Sequence, residues 1–256
     1  MITKINTNII IVMKISNKKR CFEYMLKAAP LFLMVFFFNF SCKFNLMAQN
    51  YEVLRNKMVE EQLKTRNIKS AAVLDAMRTV PRHLFVPVDM QSRAYIDSAL
   101  PIGLEQTISQ PYIVAFMTEQ LEPVPGMKIL EIGTGSGYQA AILAHLGCEV
   151  YTIELLEEFA ARAKKVITGL NYGNVKTKHG DGYAGWPEEA PFDAVIVTAA
   201  PNEIPEKLVE QLKEGGKMII PVGPAGSVQS LKLLVKKDGR IIEKDLISVV
   251  FVPMVK

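Results

Sequence analysis

Short apolar runs alternate with longer helix-like stretches between residues 128 and 222. The runs have the length of buried strands, and the stretches between them have the length of helices. The pattern predicts five strands, at Lys128–Ile132, Glu149–Ile153, Val175–Lys178, Phe192–Val197 and Lys217–Val222. It predicts the intervening helices at Tyr138–Leu146, Leu156–Ile167 and Pro205–Leu212. Strands that alternate with helices form a parallel sheet with right-handed crossovers, so we expect an α/β fold with helices on both faces of a mostly parallel sheet.

The segments on either side of this alternation are less regular. Residues 82–103 show little periodicity and are expected to be loops. Three helices are predicted before the first strand, from Asn50 as cap to about Thr65, at Ala71–Thr79 with Ser70 as cap, and at Pro111–Leu121. After the last parallel strand, an antiparallel edge is predicted from two β segments around a turn at Asp238 and Gly239, namely Ser230–Lys236 and Leu246–Val252.

The first 48 residues differ in composition from the rest of the chain. They carry seven Lys or Arg and one Glu, whereas residues 49–256 carry 23 basic and 25 acidic side chains. A basic stretch at Lys18–Arg20, a short apolar run at Leu31–Phe38 and small residues up to Ala48 together resemble a secretory signal. We therefore expect residues 1–48 to be a leader that is cleaved or disordered.

The length and net charge of residues 49–256 indicate how many domains they form and which kind of partner they do not bind. We expect residues 49–256 to form one folded domain, with a helical cap and substrate-side segment at 49–125 and a sheet core at 126–256. Its slightly negative net charge argues against binding to nucleic acid, which needs a positive surface on the folded part.

Three glycines, Gly133, Gly135 and Gly137, directly follow the first strand of the alternation. Residues without Cβ let the backbone approach a ligand closely, and strand, glycine turn and helix in this order bind nucleotide-bearing cofactors. The spacing is GxGxG and not the GxGxxG of dinucleotide-binding proteins, and Glu131 precedes the turn. Glu154 ends the next strand, roughly 20 residues after the first glycine, where a carboxylate can accept hydrogen bonds from ribose hydroxyls. Together these features favour S-adenosylmethionine over a dinucleotide.

Two further polar residues follow a predicted strand or precede a predicted helix. Asp181 lies in a Gly-Asp-Gly turn after the third strand, where it can form the turn or accept a hydrogen bond from an adenine amino group. Ser109 lies just before the helix that starts at Pro111, where a capping role is the simpler interpretation of the fragment alone. Both interpretations of each residue remain open on spacing alone.

The chain contains few groups for metal, redox or acid–base chemistry. Its three histidines, His83, His145 and His179, lie in different segments, and no pair of its three cysteines has metal-binding or disulfide spacing. Methyl transfer to a carboxylate fits this composition, because a carboxylate is already an anion at neutral pH. The protein then has to align the reacting atoms and exclude water. We expect no bound metal.

Several stretches, in this order, resemble the protein-L-isoaspartate O-methyltransferase family: TISQPY at Thr107–Tyr112, LEIGTGSGYQAA at Leu130–Ala141, GDGY at Gly180–Tyr183, FDAVIVTAA at Phe192–Ala200 and FVP at Phe251–Pro253. The likeness covers residues 51–256 and implies a Rossmann-like, S-adenosylmethionine-dependent methyltransferase fold. It implies methyl transfer to the free carboxylate of L-isoaspartyl residues, and less efficiently of D-aspartyl residues, in damaged proteins. The ester then closes to a succinimide, which hydrolyses partly to normal aspartate.

The resemblance also implies roles for individual residues. Ser109 matches the active-site serine of the family, and Thr107 and Ile108 are the substrate-side residues beside it. We interpret the Ser109 hydroxyl as a hydrogen-bond donor to the acceptor carboxylate and not as a nucleophile. Glu154 is implied as the ribose contact and Asp181 as the adenine contact. The other residues implied in cofactor binding are Glu131, Gly133, Thr134, Gly135, Gly137 and Gly182.

Two other functions stay open at this point. A methyltransferase for a small molecule or another protein site would share the glycine turn but would not explain TISQPY, and a non-catalytic protein that binds altered aspartyl sites would share both. Members of the family are usually cytosolic, like the supply of the methyl donor. We therefore expect a cytoplasmic monomer, with export or membrane tethering through residues 1–48 as the alternative.

Overall fold

The computed structural model describes residues 50–256, so the leader predicted over residues 1–48 lies outside the described residues. None of the helices between residues 50 and 256 has the length and apolar character of a bilayer span. The strands of the described chain are β1 (Leu100–Gly103), β2 (Gln106–Ile108), β3 (Lys128–Ile132), β4 (Glu149–Glu154), β5 (Val175–His179), β6 (Phe192–Val197), β7 (Leu212–Val222), β8 (Gln229–Lys237) and β9 (Arg240–Val249). Its α-helices are α1 (50–58), α2 (Ala71–Thr79), α3 (Pro111–Leu121), α4 (Tyr138–His145), α5 (Glu157–Gly169) and α6 (Glu206–Glu210).

Seven of these strands form one sheet in the order β5-β4-β3-β6-β7-β8-β9. The first five strands in this order run parallel, whereas β8 and β9 are antiparallel. The chain leaves β3 towards β4 on one side and continues to β6 and β7 on the other, and right-handed crossovers in opposite directions place helices on opposite faces. The Rossmann-like α/β fold with an antiparallel carboxyl-terminal edge is confirmed.

The two faces of the sheet differ in chemical character near the carboxyl end of β3. Leu130 and Ile132 belong to a buried apolar cluster that includes Leu208 of α6. Because side chains alternate along a strand, Glu131 points to the opposite face. A carboxyl group is thereby buried inside the protein, next to the glycine turn that follows β3.

The amino-terminal segment contains more structure than the sequence predicts. Asn50 is itself helical, so the capping role predicted for it is wrong, whereas the Ser70 hydroxyl accepts a hydrogen bond from the N–H of Val73 as a cap of α2 (3.3 Å). The region 82–103, predicted to be loops, includes β1, which pairs antiparallel with β2. Elements this short carry too little periodicity to be detected from sequence. The additional elements here are a π-helical turn at Val59–Leu63 and 3₁₀ helices at Lys64–Arg66, Arg82–Phe85 and Val88–Arg93.

The carboxyl-terminal elements have different bounds from those predicted. α6 ends at Glu210 and β7 begins at Leu212, so the predicted helix is too long, and Gly215 and Gly216 lie within the strand at a shift in register. The strand predicted at Leu246–Val252 is β9, which begins at Arg240, directly after the predicted two-residue turn. Most of this edge strand is solvent-exposed, and its first half, residues 240–244, lacks the apolar alternation that marks a strand.

Candidate active site

A cavity of about 600 Å³ lies at the carboxyl ends of β3, β4 and β6. The strand order reverses beside β3, and this crevice is where doubly wound sheets bind their ligands. The cavity is lined by the glycine turn after β3, the end of β4, the residues after β6, the β1–β2 hairpin with the loop after it, and residues 252–255. Of the predicted site residues, Gly137 and Asp181 do not line it. Those that do are Thr107, Ile108, Ser109, Glu131, Gly133, Thr134, Gly135, Glu154 and Gly182.

The glycine turn has a backbone that side chains would obstruct. Gly133 has a φ of 91°, and a Cβ added there would lie 2.6 Å from the Thr198 hydroxyl. That hydroxyl is held in place, because it donates to the carbonyl of Gly133 at 2.6 Å. Gly137 also has a positive φ (86°), and a Cβ there would lie 3.1 Å from the Cβ of Ala163 in α5. Gly133 therefore shapes the cavity wall, whereas Gly137 lets α5 pack closely against the start of α4.

Glu154 joins the end of β4 to the glycine turn. One carboxylate oxygen accepts the N–H of Gly135 at 2.7 Å, and the other accepts the N–H of Leu156 at 3.0 Å. The residue is only 8% exposed, but it lines the cavity, and each carboxylate oxygen has a second lone pair for another donor. Glu154 can thus fix the turn and accept hydroxyl groups of a ligand at the same time.

Glu131 is fully buried, and neither of its carboxyl oxygens makes a hydrogen bond within the described residues. Burial, and to a lesser extent the nearby charge of Glu154, raise the pKa of Glu131 from its ordinary value of 4.5 to about 8. The hydroxyl of Thr152 and the N–H of Ala140 offset this pKa increase in part, although neither has hydrogen-bonding geometry to the carboxyl; the Thr152 hydroxyl is 2.6 Å from that of Thr134. An unsatisfied carboxyl beside a cavity is suited to a ligand that is a cation or a hydrogen-bond donor.

Ser109 lies between β2 and α3 on the other side of the cavity. Ser109 lines the cavity, and its hydroxyl makes no hydrogen bond within residues 50–256, so the capping role open for it on the sequence is absent. Its carbonyl accepts a hydrogen bond from Arg82 at 2.7 Å. Ile108 is buried and pairs with Leu100 across β1 and β2, whereas Thr107 is exposed. The backbone of this turn is therefore fixed while the hydroxyl remains available to a ligand.

Asp181 lies next to the cavity lining but is not part of it. It is exposed, and its carboxylate accepts the N–H of Tyr183 at 2.9 Å at the start of a 3₁₀ turn. Gly182 does line the cavity, and a Cβ added there would lie 2.5 Å from Cγ2 of Ile132. The turn role of Asp181 is present in the structure, and its adenine role stays a prediction.

The sequence model of the family described as Protein-L-isoaspartate(D-aspartate) O-methyltransferase matches residues 53–256. This match covers most of the chain and all the elements that form the cavity. The chain belongs to this family.

Relatives within the family and solved structures agree with the match. A protein-L-isoaspartate O-methyltransferase from Opitutus terrae is 55% identical over 202 residues, which is 79% of this chain and 87% of that protein. A solved protein-L-isoaspartate O-methyltransferase is similar with a TM-score of 0.72 at 31% identity, over 79% of this chain and 66% of the other. A second structure is described as a protein-L-isoaspartate O-methyltransferase from Plasmodium falciparum in complex with S-adenosyl-L-homocysteine. It is similar with a TM-score of 0.68 at 28% identity, over 80% of this chain and 98% of the other.

The structure adds cavity residues that sequence reasoning did not assign to the site of this family member. The segment after β9 is held by hydrogen bonds from the Ala200 N–H to the Val252 carbonyl (2.8 Å) and from the Met254 N–H to the Ala200 carbonyl (2.9 Å). Ala200 and Val252 lie in two of the stretches that carry the family resemblance, FDAVIVTAA and FVP, and Met254 directly follows the second. The sequence therefore contained a signal for these residues but did not indicate their role. The lining residues that were missed include Leu104, Glu105, Gln106, Thr198, Ala199, Val252 and Met254.

Proposed function

We propose that this protein transfers a methyl group from S-adenosyl-L-methionine to the free carboxylate of L-isoaspartyl and D-aspartyl residues in damaged proteins. The observation that carries the proposal is Ser109, which lines the same cavity as the glycine turn, Glu131 and Glu154, and whose hydroxyl makes no hydrogen bond within the described residues. Family membership supports the substrate class. The ester product leads through a succinimide back towards normal aspartate.

The residues around the glycine turn fit the cofactor. The unsatisfied oxygens of Glu131 suit its positively charged part, Glu154 suits its ribose, and the wall at Gly133, Thr134 and Gly135 admits a ligand close to the backbone. When bound, the cofactor supplies an electrophilic methyl group. Gly182 forms part of the same wall, and Gly137 acts indirectly by packing α4 on α5. Asp181 lies next to Gly182, outside the cavity lining, and is proposed as the adenine contact.

On the acceptor side, the chain has to orient a carboxylate and exclude water. The carboxylate is ionised at neutral pH, so no residue has to remove a proton from it. The Ser109 hydroxyl can donate a hydrogen bond to one of its oxygens, which fixes the direction from which the other oxygen approaches. Thr107 and Ile108 form the adjoining wall, and the short β1–β2 pairing holds them in register with Leu100 and Pro101.

Three peptides of one sequence test the proposal, with the acidic residue as L-aspartyl, L-isoaspartyl or D-aspartyl. With labelled S-adenosylmethionine, we expect base-labile label on the isoaspartyl peptide, less on the D-aspartyl peptide and none on the L-aspartyl peptide. Methanol released in base identifies the product as an ester. Equal labelling of all three peptides, or label that resists base, would instead support a methyltransferase for another substrate.

The compartment and the oligomeric state are part of the same proposal. We propose that the protein acts as a monomer in the cytoplasm, where the methyl donor is made, with export or tethering through residues 1–48 as the alternative. Fractionation of the native protein, together with the identity of its amino-terminal residue, distinguishes the two locations. Light scattering at working concentration measures the mass of the particle.

A further inference from the structure

Arg82 is a fully buried arginine that has no acidic partner in the described part of the chain. Its Nε donates to the carbonyl of Ala94 (2.8 Å), its Nη2 donates to the carbonyl of Ser109 (2.7 Å), and its guanidinium lies 4.9 Å from the ring centroid of Tyr138. Its Nη1 makes no hydrogen bond within residues 50–256. Burial lowers the pKa of Arg82 to about 10, which leaves the side chain charged at neutral pH.

The cavity itself has an acidic lining. Its ionisable side chains are the carboxyl groups of Glu105, Glu131 and Glu154, and no Lys, Arg or His of the described residues lines it. The proposed acceptor is nevertheless a carboxylate, which has to leave water to react. Of the described Lys and Arg side chains, Arg82 is the one that hydrogen-bonds to a residue of the lining, and that residue is Ser109.

We propose that Arg82 is a positioning residue for the acceptor carboxylate, an inference that rests on the proposed function. Its Nη2 fixes the backbone of Ser109 and therefore the direction of the Ser109 hydroxyl. Its charge, which no acidic side chain of the described residues neutralises, lies one hydrogen bond from Ser109 and favours an anion bound at that residue. A buried charge without a partner destabilises a fold, and neutral donors could satisfy the carbonyls of Ala94 and Ser109 as well. The positive charge itself therefore has a function at this position, in addition to that of the two hydrogen bonds.

Binding of two matched peptides tests the role of the charge. One peptide contains an isoaspartyl residue with its free carboxylate, and the other contains the same residue as the neutral carboxamide. Both are titrated into the protein saturated with S-adenosyl-L-homocysteine, so that no turnover occurs. We expect wild type to prefer the carboxylate and Arg82→Gln to lose about tenfold of that preference, because tenfold corresponds to about 1.4 kcal/mol and interactions with charged groups have this size.

Arg82→Lys separates the charge from the shape of the side chain. Lysine keeps the charge but lacks the planar fork that holds two carbonyls at once. We expect this variant to keep the carboxylate preference while its kcat falls by about tenfold, the size of one lost hydrogen bond to a charged group. In a Ser109→Ala background the same change should lower kcat little further, because the hydroxyl that Arg82 orients is gone.

Arg162→Gln is the matched control. Arg162 also donates to a backbone carbonyl, that of Ile102 (3.0 Å), and also has a buried Nη without a partner within the described residues. It makes no hydrogen bond to Ser109 within the described residues. We expect Arg162→Gln to keep the carboxylate preference of wild type, which would show that the loss in Arg82→Gln is not a general result of removing an arginine that donates to a backbone carbonyl.

The inference is overturned if Arg82→Gln, with the thermal midpoint and nucleoside affinity of wild type, keeps the full carboxylate preference. It is also overturned if Arg82→Lys keeps the kcat of wild type. A third contrary result is a double variant, Arg82→Lys with Ser109→Ala, whose fall in kcat equals the product of the two single falls. The last two results decide the matter if Arg82→Gln does not fold. Failure of wild type itself to methylate isoaspartyl peptides would contradict the proposed function, whereas active wild type with indifferent Arg82 variants would contradict only the role of Arg82.

Discussion

At the scale of single residues, Glu131 makes the stability of the ligand-free protein depend on pH. Its pKa is about 8 in the folded protein, against an ordinary value of 4.5. Between these values the folded protein holds a proton that the unfolded chain has lost, so the free energy of unfolding falls as pH rises from about 4.5 to 8, by on the order of a few kcal/mol. We expect Glu131→Gln to remove this decrease. Urea unfolding at pH 5, 6.5 and 8 measures it, and equal slopes in variant and wild type would refute the assignment.

Glu154 has two functions that substitution can separate. Glu154→Ala removes the acceptor for the Gly135 and Leu156 N–H groups together with the proposed ribose contact. We expect it to weaken S-adenosyl-L-homocysteine binding by roughly 1 to 3 kcal/mol, the scale of lost hydrogen bonds to a charged group. Glu154→Gln keeps one acceptor oxygen and should lose less. Calorimetric titration measures both variants, and unchanged binding in Glu154→Ala would remove Glu154 from the ribose role.

Ser109→Ala tests the acceptor side of the site alone. The Ser109 hydroxyl makes no hydrogen bond within the described residues, so its removal leaves no other protein group unsatisfied. We expect kcat to fall by about tenfold or more, because a lost hydrogen bond to a charged group costs at least about 1.4 kcal/mol, while nucleoside affinity stays close to wild type. Single-turnover kinetics and calorimetry separate the two quantities. A methylated serine trapped during turnover would contradict a purely positioning hydroxyl.

At the scale of elements, the turn between β3 and α4 requires glycine for two independent reasons. At Gly133 an alanine would have to adopt a φ of 91° and place its Cβ 2.6 Å from the Thr198 hydroxyl. We expect Gly133→Ala to cost about 1 to 3 kcal/mol of stability through strain and crowding, and to weaken nucleoside binding. Gly173→Ala is the control, since nothing lies within 4 Å of a Cβ there. If thermal unfolding shows the same loss of stability in both variants, the turn tolerates a side chain.

The same element explains which parts of the structure could be predicted. Strand, turn and helix around Gly133 are specified by adjacent residues, and the sequence therefore predicts them with nearly correct bounds. The contacts that complete the cavity join residues far apart in the chain, such as Ala200 to Val252 and Met254, and no local pattern indicates them. Arg82 could not be predicted for a different reason. Arginine is almost always exposed, so the burial of Arg82 without an acidic partner can be seen only in the structure.

At the scale of the whole molecule, every residue that lines the cavity falls between 104 and 255. The family match begins at residue 53, and the compact unit of the described chain begins at Glu52. Residues 1–48 also differ in charge from the rest, with seven basic side chains against one acidic. The chemistry that we propose therefore depends on residues 49–256, and residues 1–48 should affect location but not turnover.

A variant that starts at residue 49 tests this division. We expect it to unfold in one cooperative transition and to methylate the isoaspartyl peptide with a kcat/KM within about twofold of the full chain, a difference of about 0.4 kcal/mol. Calorimetric unfolding and initial rates on matched preparations measure both. Arg82→Lys made in the short variant should lower kcat by the same factor as in the full chain, because Arg82 and Ser109 both lie within it. A short variant that folds but loses most of its activity would assign residues 1–48 a part in the reaction.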